Sequence, residues 1–215
     1  AGIVLGRHFP DRHELFEAQP GEPAAVLNEA MRRARGARWL LADAGCAFHD
    51  PRILETLYVL GMGENVATSS CLMLREVALK KGTEVQFHSA GFYPTQVSLL
   101  GPAQWTFSEP YTLSAFPAGT YPVVGNSFRL ALVNPAAWTE LEGVDARSYA
   151  RGRIDLDFCL RASLAGFDHL CTTAVSASCL KIGMAARVNV HPLRHFGPEQ
   201  WHGLLSRVTL VAECH

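Results

Sequence analysis

The stretch IDLDFCLR, residues 154–161, sets two carboxylates, Asp155 and Asp157, at the start of a helical pattern spanning 153–165 and closed by Gly166. An acid in the first turn meets the positive end of the helix dipole, which favours its ionised form. Ionised at the mouth of a cleft, it can act as a general base toward a hydroxyl. Positions 155 and 157 stand about 200° apart around a helix, so both cannot point into one cleft. One is expected to face a site. The other should turn to solvent, the sheet edge, or a partner such as Arg153 or Arg161. Simple charge complementarity at a helix end explains the same pattern and stays open beside the catalytic reading.

A third acid is Asp43, at the end of the strand-like run RWLLADA. Ligands of open α/β sheets gather at the carboxyl ends of parallel strands. An acid leaving such a strand into the loop GCAFHDP can reach a metal-bound diphosphate or a ribose, or it can cap its own turn. His191 and His195 in NVHPLRHFG have H-x3-H spacing, but Pro192 argues against a helical presentation and no further residue completes a zinc signature. The run GMG (61–63) lacks the Lys-Ser/Thr of a phosphate-cradling loop, and GNSFR (125–129) lacks the final glycine of a nucleophile elbow. Trp39 and Trp138 read as core. Trp105, in PAQWTFSEPY, is a candidate sugar platform. His88 reads either as a buried strand histidine or as an acceptor contact.

These residues need a frame. The run PAAVLNEAMRRAR places Leu27, Ala30, Met31 and Ala34 on one helical face, with proline in its first turn and Gly36 as its stop. A fully buried strand is expected at 38–42 and a second helix from Pro51 to Gly61. A short strand at 2–6 precedes them. This strand-helix alternation implies an α/β sandwich with a largely parallel sheet. After residue 63 come strand-like ENVATSSCLM, TEVQFHSAG and YPVVGNSFRLALVN, the first two separated from the third by a long Pro/Gly/aromatic stretch, 92–122, expected to be a functional loop. Helix 153–165 follows, then the strand-like HLCTTAV, a basic loop, and a last strand, RVTLVAECH (207–215).

The 215 residues suffice for one domain with a sizeable core, and a formal net charge of −1 gives no field for nucleic acid or an anionic membrane. No run is long and apolar enough to span a bilayer, and the start has no charged and apolar regions of a signal peptide. The six cysteines form no CxxC pair and several sit in apolar runs, as small buried hydrophobes of a reducing, cytoplasmic compartment do.

The segment 131–177 resembles the acceptor-side region of glycosyltransferase family 2, nucleotide-sugar enzymes of the GT-A fold. The turn EGVDA (142–146), the helix IDLDFCLR and its ending LAGF (164–167) follow that family's order of turn, Glu-Asp-x-Asp-Leu-x-x-Arg helix and Ala-Gly-Tyr/Phe. Upstream, PAAVLNEAMRRARGARWLLADAG (23–45) resembles the family's region ending in Asp-x-Asp. EVQFHSAGF (84–92) resembles its Ile-Gln-His-Ala-Gly patch. The resemblance implies a three-layer GT-A sandwich with a mostly parallel sheet, in a single domain. Its donor-side half would be 1–63, its acceptor-side half 64–180, and a C-terminal extension 181–215.

The same resemblance implies an inverting transfer of sugar from a nucleotide-sugar donor to a saccharide or lipid-linked acceptor. Asp155 would be the base, and Asp43 would help to hold a divalent ion, Mn or Mg, on the donor diphosphate. Asp157, Trp105 and His88 would contact substrate. Three features depart from the family. Gly45 replaces the second acid of Asp-x-Asp, Ile154 replaces the glutamate before the base, and the opening strand is missing before Ala1. The run 207–215 resembles that strand and reads as a replacement, the start of another unit, or an edge strand. The departures keep a second expectation alive, a non-catalytic GT-A-like scaffold or partner-binding domain of a larger protein.

Overall fold

The structure, a computed structural model, describes residues 23–43, 45–79, 82–97, 104–108, 118–145, 154–179 and 198–208. The expected strand 2–6, the histidines 191 and 195, and all but the first two residues of 207–215 lie outside these. Helix α1 is Pro23–Arg33, followed by β1 Trp39–Ala42, β2 Cys46–Phe48 and α2 Ile53–Leu60. Then come β3 Val66–Leu79, β4 Gly82–Ser89, β5 Tyr93–Val97, β6 Gln104–Ser108, β7 Thr120–Val123 and β8 Leu130–Val133. The chain continues through α3 Pro135–Glu140, α4 Ile154–Leu164, β9 Asp168–Cys179 and α5 Pro198–Leu205.

The main sheet runs β1-β8-β3-β9-β2, with β4 added to β3 and β7 to β9. It is mixed rather than mostly parallel: β3 and β9 pair in parallel, and the other described pairings are antiparallel. One cause lies in the connections, since β3 returns at once into β4 with Leu79 facing Gly82, a hairpin that needs no crossover helix. Strand β1 is half-buried rather than fully buried, because it ends the order and pairs with β8 alone among the described strands. The expected long loop 92–122 contains the two-stranded sheet β5-β6. The run read as one strand, YPVVGNSFRLALVN, breaks into β7 and β8 around Gly125 and Asn126.

Strand β8 shows how the core is divided. Ala131 and Val133 pack with α1, α3 and α4, around Trp138 and Phe158. Leu130 and Leu132 pack with α2 through Ile53, Leu54 and Leu57. Alternate strand residues point to opposite faces, so helices cover both sides of β8. Trp39 meets Trp138 edge-on, with ring centroids 6.3 Å apart, as expected of core indoles. The β3–β9 register shifts between Cys71 and Leu72. Before the shift β3 borders β8 and β9 borders β7; beyond it β3 borders β4 and β9 borders β2.

Candidate functional site

Register and rise fix the height of the two candidate carboxylates. Ala42 faces Leu130 on β8, and Leu132 faces Ser69 on β3, so the end of β1 stands level with Cys71, which faces Thr172 of β9. Helix α4 turns back into β9 at Gly166, whose φ of 95° suits glycine, with the Phe167 N–H donating to the Ala162 carbonyl at 2.9 Å. From Leu164 to Asp155 the helix rises about 13–14 Å, the height of about four strand residues. Asp155 is therefore also level with Thr172. Asp43, just past the end of β1, and the first turn of α4 thus stand at about one height on the sheet, that of Cys71 in β3 and Thr172 in β9.

Both helix acids are buried, each 9% exposed. Asp155 accepts from the Leu156 N–H at 2.9 Å. Asp157 pairs with Arg161 one turn on, through Nε at 3.0 Å and Nη2 at 2.9 Å. The 200° divergence thus resolves as one of the expected outcomes, an internal partner for the second acid. Arg161 also donates to the carbonyls of Leu141 at 2.8 Å and Gly143 at 2.7 Å. From the other side Asn28 of α1 grips the same turn: its Nδ2 donates to the Val144 carbonyl at 2.8 Å, and its Oδ1 accepts from the Val144 N–H at 3.0 Å. Gly143, at φ 78°, is required there, because a Cβ would run into the Asn28 carboxamide and the Trp138 indole nitrogen.

Beneath α4 lies a directed chain of buried hydrogen bonds. The Cys159 carbonyl can only accept, so His169 carries its proton on Nε2, 2.9 Å away, and Nδ1 accepts from the Thr68 hydroxyl at 2.7 Å. Asn126 Nδ2 donates to Thr68 Oγ1 at 2.9 Å. Burial pushes the His169 imidazole down to about 4, which keeps it neutral. Gly125 lets α4 approach this layer, since a Cβ at that position would overlap Cys159.

Asp43 is exposed and sits in a self-closed turn. Its Oδ1 accepts from the Gly45 N–H at 3.1 Å, and its carbonyl accepts from the Cys46 N–H at 2.9 Å. Its own N–H donates to the Arg129 carbonyl at 2.7 Å. The Arg129 guanidinium lies 3.0 Å from His88 Nε2 and can only donate, so His88, 4% exposed, holds its proton on Nδ1. Trp105 lies in β6, paired with Gln96. Among the described residues no three His, Cys, Asp or Glu side chains group as metal ligands.

A crystal structure of GalNAc-T7 with UDP, GalNAc and Mn2+ aligns with a TM-score of 0.54 at 12% identity, over 74% of this chain and 30% of that one. The fold is similar to a GT-A glycosyltransferase. At that identity the likeness speaks for the fold alone, and this chain spans less than a third of the larger protein. No family model and no curated protein sequence matches the chain. No helix among the described residues is long and apolar enough to cross a membrane.

Sequence reasoning missed Asn28, His169, Thr68 and Asn126. Asn28 had a signal, a polar residue between Leu27 and Met31 on a face otherwise apolar. The partners of the others lie far along the chain and gave no local pattern.

Proposed function

We propose that this chain is the acceptor-side part and some of the donor side of a glycosyltransferase that uses a nucleotide-sugar donor. One observation carries the reading: a buried carboxylate, Asp155, opens a helix at about the height on the sheet where β1 ends before Asp43, in a fold similar to that of a protein crystallised with UDP, GalNAc and Mn2+. Asp155 acts as base toward a hydroxyl of a saccharide or lipid-linked acceptor, taking its proton as that oxygen attacks the anomeric carbon. Such a single displacement inverts the anomeric centre. The Asp157–Arg161 pair holds the helix and the 141–144 turn in position for that step, and Arg129 supplies fixed positive charge beside the Asp43 turn.

The donor set of the Asp43 turn bears on how a cation would be held. Asp43 has one oxygen engaged by Gly45, which stands where a second acid would be needed. Six oxygens around a hard dication cannot come from this turn. The residues fit an ion carried in on the donor diphosphate, with Asp43 as one ligand, better than an ion held by the protein. When bound, such an ion relieves charge on the leaving diphosphate.

The competing reading, a GT-A-like scaffold without activity, is favoured by that same closed turn. Calorimetric titration of the chain with UDP and dTDP, with and without manganese, separates the two. The enzyme reading expects micromolar binding that needs the ion and weakens at least tenfold in Asp43→Ala. It also expects Asp155→Asn to bind nucleotide and transfer no sugar. No binding of either nucleotide would leave the scaffold.

A further inference from the structure

Cys46 opens β2 and Cys179 closes β9, and the antiparallel register sets them directly opposite each other. Their sulfurs lie 2.8 Å apart, and both are free thiols. Directly opposed residues of antiparallel strands have Cα atoms about 4.5–5.5 Å apart, within the ~4.4–6.8 Å that a disulfide spans. Closing the sulfurs to the ~2.0 Å of a bond asks for less than an ångström of side-chain movement. The geometry points to an oxidation site: Cys46 and Cys179 close to a cross-strand disulfide that fastens the Asp43 turn to the end of β9.

The surroundings suit this chemistry. Cys46 is half-buried and reachable, whereas Cys179 is 2% exposed behind it. The Cys46 thiol, placed to donate to the sulfur of Cys179, lowers the Cys179 pKa, and the Arg129 charge adds to that effect. Cys46 is also 3.2 Å from the Arg129 carbonyl that accepts the Asp43 N–H, so the pair and the turn share an anchor. The hydrogen bond with Cys179, followed by burial, raises the Cys46 thiol well above its ordinary value. Cys71, Cys159 and Cys171 are buried, and burial raises all three thiols, that of Cys71 to about 12.

The oxidant is a low-molecular-weight disulfide of the glutathione class. The Cys46 thiol passes its proton to the Cys179 sulfur along their hydrogen bond, and the Cys46 thiolate so formed attacks one of the oxidant's sulfurs and releases the other as a thiolate. Cys179 then attacks the Cys46 sulfur and expels the second. Two protein S–H bonds and the small disulfide's S–S bond are broken, and the protein S–S bond forms. The two protons end on the two released thiols, and two electrons pass from protein to oxidant. A thiol reductant reverses every step.

The full chain would be incubated with oxidised glutathione, blocked with iodoacetamide and digested without reduction for mass spectrometry. The expected result is a linked Cys46–Cys179 peptide, absent in Cys46→Ser. A rise in Tm of about 5–10 °C that dithiothreitol removes would accompany it, because the bond closes a long loop of the unfolded chain. Linkage of Cys179 to Cys71 would overturn the proposal. So would a glutathione adduct persisting at Cys46, unchanged alkylation of both thiols, or a zinc ion retained by the pair in native mass spectra. Bond formation is independent of nucleotide binding, so failure of the glycosyltransferase reading leaves it standing.

Discussion

The two candidate carboxylates share a height on the sheet but not a manner of support. Around Asp155 the protein is braced from three directions: Arg161 and Asn28 grip the 141–144 turn, and His169 ties the helix to β3 through Thr68. Around Asp43 the support is a loop hydrogen-bonded to itself and to one carbonyl of residue 129. A buried acid demands such bracing, because leaving a charge without partners in the interior costs several kcal/mol. An exposed acid keeps its hydration and needs no framework. The first region is built to hold one geometry; the second is held by its own turn and left open to solvent.

Three measurements test that contrast. The largest effect is expected for Arg161→Ala, which strips Asp157 of its cation and two turn carbonyls of their donors. Urea unfolding should show a loss of about 3 kcal/mol, the low end for a broken buried pair because Arg161 is partly exposed. A loss below about 1 kcal/mol would mean that the brace is ornamental.

Acid should loosen the same region next. His169 has a folded value of about 4 against an ordinary 6.5, so between those values the unfolded chain binds a proton that the folded chain does not. Its contribution to stability is therefore complete above about pH 6.5, falls as the pH drops, and levels off below about 4. The total is about 3 kcal/mol at ~1.4 kcal/mol per unit. An NMR titration placing His169 near 6.5 would refute this. The smallest effect belongs to Asp43→Ala, expected to cost less than about 1 kcal/mol in the same urea assay, since one exposed turn bond is lost. A larger loss would show that the turn is structural after all.

Much of the frame was legible because its signals are local. Pro23 and Pro51 mark helix starts, the face of Leu27 and Met31 marks a core side, and LAGF marks the reversal of α4 into β9. The partner of Asp157 was legible for the same reason, a four-residue spacing along one helix. Sheet order was not, because β-pairing is a relation between distant segments. Nothing in WLLA announces that it borders residues 130–133 from the outside. The short strand β2 hid within a loop for the same reason, as its apolar content is three residues. Helices α3 and α5 went unread: each is too short for its periodicity to stand out.

The separation of β2 from its partner also bears on how the chain assembles. Cys46 meets a residue 133 positions further on, and Trp39 must wait for Val133. During synthesis the segment around Asp43 emerges early yet gains its neighbours late, after β9 has left the ribosome. Pairings so distant in sequence are slow to form and exposed meanwhile to misassociation. The Asp43 turn is thus expected to be among the last parts to acquire native contacts and the first to lose them on unfolding.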